Sequence, residues 1–168
     1  MTQTQDQVSA RIGEVLDEMV KGAGREARAP RPTTIEASGP GGSVSVAVED
    51  ADRLGVLAGP VSARRTDGGS GNVGAQAEEA VRRLTYLPEP LAIIESEGKR
   101  ARAILRSAVP RQTAGGREYN EAVLQGGDSI SIRRFRVESG SRRKSVPSNM
   151  SRETLGRLAD DLVDILAK

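Results

Sequence analysis

The chain contains neither cysteine nor histidine. Without cysteine, disulfides and thiolate metal sites are excluded. Without histidine, the commonest general base, the usual nucleophile–base pairs and nearly all zinc chemistry go too. A catalyst built here would have to run on carboxylates, lysine, tyrosine, serine or arginine. Aromatic residues are almost as scarce: Tyr86, Tyr119 and Phe135 are the only three in 168 residues. The core is therefore expected to be aliphatic. No apolar run approaches the roughly 18 residues of a membrane span. The opening stretch MTQTQDQVSARIGEVLDEM lacks the basic and apolar segments of a secretory signal, so a cytoplasmic location is expected.

Arginine and glycine are plentiful. The cations are 21 arginines and 4 lysines, and glycine occurs 19 times. The length suits one domain with a real core. The formal net charge of +2 hides a polarised chain. Residues 99–144 carry twelve cations against four carboxylates, whereas residues 1–98 carry ten against fifteen. The net charge alone misses this segregation.

Hydrophobic spacing organises the chain. Val8, Ile12, Val15, Leu16, Met19 and Val20 recur at helical intervals over residues 6–21, and Gly22 and Gly24 end the pattern. Residues 22–32, with two prolines and no periodicity, read as a flexible linker. TTIEA and SVSVAVE, joined by SGPGG, read as a hairpin, with GPVSARR as a further short strand. A second helix is expected over 73–85 with Asn72 as its N-cap. LPEPLAIIES, KRARAILRSAV, REYNEAVLQ and SISIRRFRVE then read as a four-strand antiparallel meander. A last helix, capped by Ser148 or Ser151, carries Leu155, Leu158, Leu162, Ile165 and Leu166 on one face.

The expected fold is α+β. An antiparallel sheet, made of the meander and the N-terminal hairpin, is packed on one face by the central and C-terminal helices. Residues 33–168 form this domain; residues 1–32 form a tethered amphipathic helix and its linker. The helix face Val8, Ile12, Val15, Leu16 and Met19 either docks on a partner or on a second copy in a homodimer, or packs back on its own sheet, and self-packing is favoured because short helices alone are marginal in water.

Side chains alternate across a strand. This places Arg100, Arg102 and Arg106 on one face of their strand, opposite Ala101, Ala103, Leu105 and Val109. In SISIRRFRVE, Arg134 and Arg136 share a face with Ile130 and Ile132, while Arg133 lies with Phe135 and Val137. That slip in pattern implies a bulge or a strand leaving the core. Arg142, Arg143 and Lys144 are expected in a loop. Together these nine cations make a candidate surface for an anionic partner. A solvated face with no ligand is the simplest alternative. An acidic protein surface ranks above nucleic acid, because single-strand binders use aromatic stacking that this segment lacks, and no helix is rich in cations.

Other motifs carry less. GSGNVG, Gly69–Gly74, matches the dinucleotide pattern G-x-G-x-x-G, but the strand and helix context is wrong and no lysine follows for a phosphate loop. Asp160, Asp161 and Asp164 in DDLVD read as a solvated helix face rather than a magnesium site. Tyr119, between Glu118 and Glu121, reads as a strand residue rather than a catalytic acid. RRKSV, Arg142–Val146, has the form of a substrate for arginine-directed kinases, with Ser145 as the acceptor. The expected function is a non-enzymatic interaction or assembly module binding an acidic protein. A nucleic-acid-associated protein is the alternative, and a small enzyme without His or Cys chemistry is third. No cofactor and no metal are expected.

Overall fold

The computed structural model describes residues 7–22 and 32–168. Its elements are α1 (Val8–Gly22), β1 (Thr33–Gly39), β2 (Gly42–Ala51), β3 (Gly55–Arg65), α2 (Val73–Arg83), β4 (Leu91–Glu97), β5 (Arg102–Ser107), β6 (Arg111–Thr113), β7 (Gly116–Gln125), β8 (Ser129–Glu138), β9 (Lys144–Val146), β10 (Ser148–Ser151) and α3 (Arg152–Leu166). The fold is α+β, with ten antiparallel strands in one sheet. Its main path runs β1-β2-β3-β8-β7-β5-β4, so β1 and β4 are its edges. The hairpin and meander of the sequence are joined into this sheet through the β3–β8 pair.

Local chemistry sets the joints. Pro40 and Gly41 (φ 85) turn β1 into β2, where proline presets the first corner and glycine supplies the positive φ of the second. Asn72 caps α2 by accepting from Ala75 N at 3.0 Å, and Ser151 caps α3 by accepting from Thr154 N. Ser148, the other expected cap, instead opens β10.

The helices lie on one face. Val44, Val46, Val48, Val61, Ala63, Ile130 and Ile132 lie on the strands packed by α3, with its Leu155, Leu158, Leu162, Ile165 and Leu166, whereas Leu105 and Leu124 lie on strands packed by α2, and all are buried in one aliphatic core. α1 belongs to that core. Val8, Ile12 and Leu16 are buried, and Val15 and Met19 pack against them. Polar contacts fix the helix on α3. Arg152 donates to Gly13 O at 2.9 Å and to Asp17 at 2.7 Å, and Ser9 N donates to Asp160 at 3.0 Å. The expected partner-helix face is thus covered by the chain's own β1 and α3. The linker expected over 22–32 lies mostly outside the described residues.

The β3–β8 ladder runs from Arg64↔Ser129 to Val61↔Ile132 and stops at Pro60, which has no N–H to donate. The two strands then diverge. The segment after β8 fills the fork, pairing with β8 as β9 and, past Pro147, with β3 as β10. These short strands occupy SVPSNMS, which the sequence reads only as a lead into the last helix.

Candidate functional site

The face away from the helices is built in straight rows. Glu97, Arg102, Gln125, Ser129, Arg64, Ser43 and Ser38 stand in register across seven strands. The next row is Glu95, Ile104, Val123, Ser131, Ser62, Ser45 and Glu36. Six serines floor a shallow trough of about 500 Å³, with Arg64 and Gln125 on its lining. Four of them are legible as alternation: the serines of SVSV and SISI alternate with buried valines and isoleucines.

The carboxylates of this face lie mainly at the sheet edges, Glu36 on β1 and Glu95 and Glu97 on β4. The inner strands carry Arg64, Arg102, Arg106, Arg117 and Arg133, and Arg143 folds over them from the loop before β9. Glu121 is the one carboxylate among these arginines. It receives hydrogen bonds from Arg106 at 2.7 Å and Arg143 at 2.8 Å. Burial pushes its pKa up, but the two guanidinium hydrogen bonds outweigh burial and leave it lowered. Arg143 also stacks on Phe135, 4.1 Å from the ring centre, and its own pKa is raised by hydrogen bonding to Tyr119 and then Glu121. Arg64, Arg117 and Arg133 make no ion pair with a described residue, and Arg102 faces Glu97 across the β4–β5 ladder.

The nine arginine and lysine side chains singled out from sequence meet different fates. Arg102, Arg106, Arg133 and Arg143 stand on the outer face. Arg100 does not share their strand. It closes a 3-10 turn, Gly98–Arg100, ended by Ala101 at φ 44, and it pairs with Glu97 at 3.4 Å. Arg134 is on the helix side and only 8% exposed. It donates to Glu89 at 2.7 Å and to Glu118 at 3.1 Å. Arg136 shares Glu118 from the same side, and Lys144 follows it in the same row across β8 and β9. Arg142 is exposed beside them. The expected bulge near Ile132 is absent, because β7 and β8 pair without a break from Gly116↔Glu138 to Gln125↔Ser129. The other expectation for that slip holds: the strand leaves the aliphatic core, and Arg134 occupies the position where an aliphatic residue would continue it.

The twelve-cation segment is therefore two groups. Lys99, Arg100 and Arg102 sit at one end of the sheet, beside the β7–β8 turn. Most of the rest lie further along the strands, from about 13 Å away for Arg106 and Arg133 to about 26 Å for Arg117 at strand spacing. The sequence missed Arg64, which belongs to the first group's row and lies outside the basic segment.

The remaining motifs have structural roles. In GSGNVG, Gly71 N donates to Gly127 O at 2.8 Å and Asn72 N to Lys168 O at 3.4 Å. A Cβ on Gly71 would collide with the Gln76 amide and the Lys168 backbone, so this glycine closes a joint between α2, the β7–β8 turn and the end of α3. Asp161 accepts from Arg83 and from Tyr86, and Asp164 from Arg83. Among the described residues no cluster of three or more potential metal ligands occurs, and no helix is long and apolar enough to cross a membrane. The chain matches no protein-family model, no curated protein and no solved structure.

Proposed function

We propose that this protein is a non-enzymatic interaction module that binds an acidic protein segment on the outer face of its sheet. The supporting observation is the distribution of charge on that face: arginines on the inner strands, carboxylates at the edges, and small hydroxyls between. Arg64 and Arg102 stand in one row, three strands apart, about 14 Å at ordinary sheet spacing. Ser129 and Gln125 lie between them. An extended acidic segment crossing the strands meets one arginine at each end of that span and hydroxyl and amide groups in the middle. The trough is shallow and polar, which suits a peptide main chain better than a buried small substrate. α1 supports the module from behind by completing its core.

The test is a titration of a fluorescent Glu/Asp-rich peptide, duplex DNA and single-stranded DNA against the full chain over a range of salt. Peptide binding that disappears in the triple variant Arg64→Glu, Arg102→Glu, Arg133→Glu supports the reading. Tighter, steeply salt-dependent binding of DNA replaces it with nucleic-acid association. Absence of binding to all three leaves the outer face a solvated surface and sinks the proposal.

A further inference from the structure

We propose that Ser145 is a phosphorylation site, and that its phosphate closes the arginine face to acidic partners. The second half rests on the function proposed above; the first does not. Ser145 is exposed and follows Arg142, Arg143 and Lys144, with Val146 after it. The two arginines upstream, at three and two residues before the serine, and the aliphatic residue downstream fit the extended substrate groove of an arginine-directed serine/threonine kinase. The backbone is already extended there, since Ser145 is the middle residue of the three-residue strand β9. Among the described residues β9 pairs with β8 alone, through three residue positions. Freeing so short a strand for an enzyme disturbs little of the sheet.

The surroundings supply a receiver for the phosphate. Ser145 stands opposite Phe135, on the outer face. Arg143 is two residues upstream on the same side and already lies over the Phe135 ring. Arg133 is the diagonal neighbour across β8, a separation of about 7–8 Å between Cα atoms that a guanidinium spans. A phosphoserine brings close to two negative charges and three strong acceptors. Arg143 can turn to it without stranding Glu121, because Arg106 still donates to Glu121 through both Nε and Nη2. The carboxylate holds two arginines where one suffices, and the second is the one within reach of Ser145.

The reaction uses ATP as phosphoryl donor. The bond between the γ-phosphorus and its bridging oxygen breaks, ADP leaves with that electron pair, and Ser145 Oγ bonds to phosphorus. The hydroxyl proton passes to the base of the kinase. The product neutralises Arg133 and Arg143 at one end of the outer arginine face, with Ser145 about 20 Å along the strands from the Arg64–Arg102 row.

The experiment incubates the full folded chain, and the Ser145→Ala variant, with an arginine-directed kinase and ATP, then maps the product by intact mass and peptide mass spectrometry. One phosphate on Ser145, none on the variant, is the expected result. The modified chain then binds the acidic peptide at least about tenfold more weakly, as expected when a divalent anion is placed among its arginines. In ¹⁵N spectra the Arg143 Nε resonance shifts on modification while that of Arg106 stays. Modification of a synthetic 139–149 peptide but not of the folded chain overturns the site, as does phosphate on Ser139 or Ser141 in place of Ser145. An unmoved Arg143 resonance, or unchanged peptide affinity after full modification, overturns the switch. If the unmodified chain binds no peptide, the interaction reading fails by itself, and the mass and Arg143 data still decide the site.

Discussion

β7 and β8 present two faces made from alternate residues of the same two strands, and the faces treat charge in opposite ways. On the helix side, Arg134 is sealed between Glu89 and Glu118, with Asn120 beside it donating to Pro88 O at 2.6 Å. On the outer side, Arg133 stands in solvent with no ion pair to a described residue, while Glu121 is gripped by Arg106 and Arg143. Neighbouring arginines thus differ completely in what they do. One is a structural cation whose charge is already spent; the other is available. A count of cations along the sequence adds them as equals.

The sharpest way to break this contrast is to remove each arginine in turn. Arg134→Ala leaves Glu89 without its cation and Glu118 with Arg136 alone in a buried setting, and is expected to cost about 3–5 kcal/mol in urea unfolding. Arg133→Ala is expected to stay within about 0.5 kcal/mol of the parent. Equal effects would mean that the two faces are not distinct. A comparable loss, about 2–5 kcal/mol, is expected for Leu16→Ala, because that side chain is fully buried in the core shared by α1 and α3. A change below about 1 kcal/mol would show that α1 does not belong to the folded unit.

Acid titration sharpens the comparison further. Burial works to raise the pKa of both Glu118 and Glu121, and guanidinium hydrogen bonds reverse it, so both are lowered in the folded chain. A lowered folded pKa gives stability that is present above the unfolded value and lost as pH falls through the folded one. The urea midpoint should therefore fall as pH drops from about 4.5, the ordinary glutamate region. Asp67 and Glu79, both lowered to about 2 by arginine hydrogen bonds, add to the loss at the acid end. In Glu121→Gln this slope should be shallower, and a slope unchanged in that variant would detach Glu121 from the effect. The smallest expected effect is Arg64→Ser, which should leave the unfolding curve in place and weaken only peptide binding.

Much of the fold was legible because aliphatic alternation reports which face is buried. SVSVAV and SISI gave strands with the correct inner face, and the spacing of Leu155, Leu158, Leu162 and Ile165 gave α3. The fork strands β9 and β10 were not legible, since segments of three and four residues on either side of Pro147 are too short to show periodicity, and their pairing is set by the divergence of β3 and β8 at Pro60. The candidate face was half legible. Alternation put Arg102 and Arg106 on one side correctly. It could not show that a turn begins at Gly98 and removes Arg100, or that Glu89, 45 residues from Arg134, comes back to neutralise it. Arg64 escaped notice because its contribution arises from cross-strand register, which unites residues far apart along the chain.

The divergence at Pro60 has a bearing on synthesis. β3 gains β2 as a neighbour as soon as residue 65 has been made, but its opposite side waits for residues 129–132 and 148–151. Until these emerge from the ribosome, a strand carrying Val56, Leu57 and Val61 keeps one margin open to whatever else is nearby. Such long-range closure is slow, because the intervening chain must be ordered before it is rewarded. The nascent chain should therefore depend on chaperones until Ser148–Ser151 has been made, and lose that dependence once this strand docks along β3.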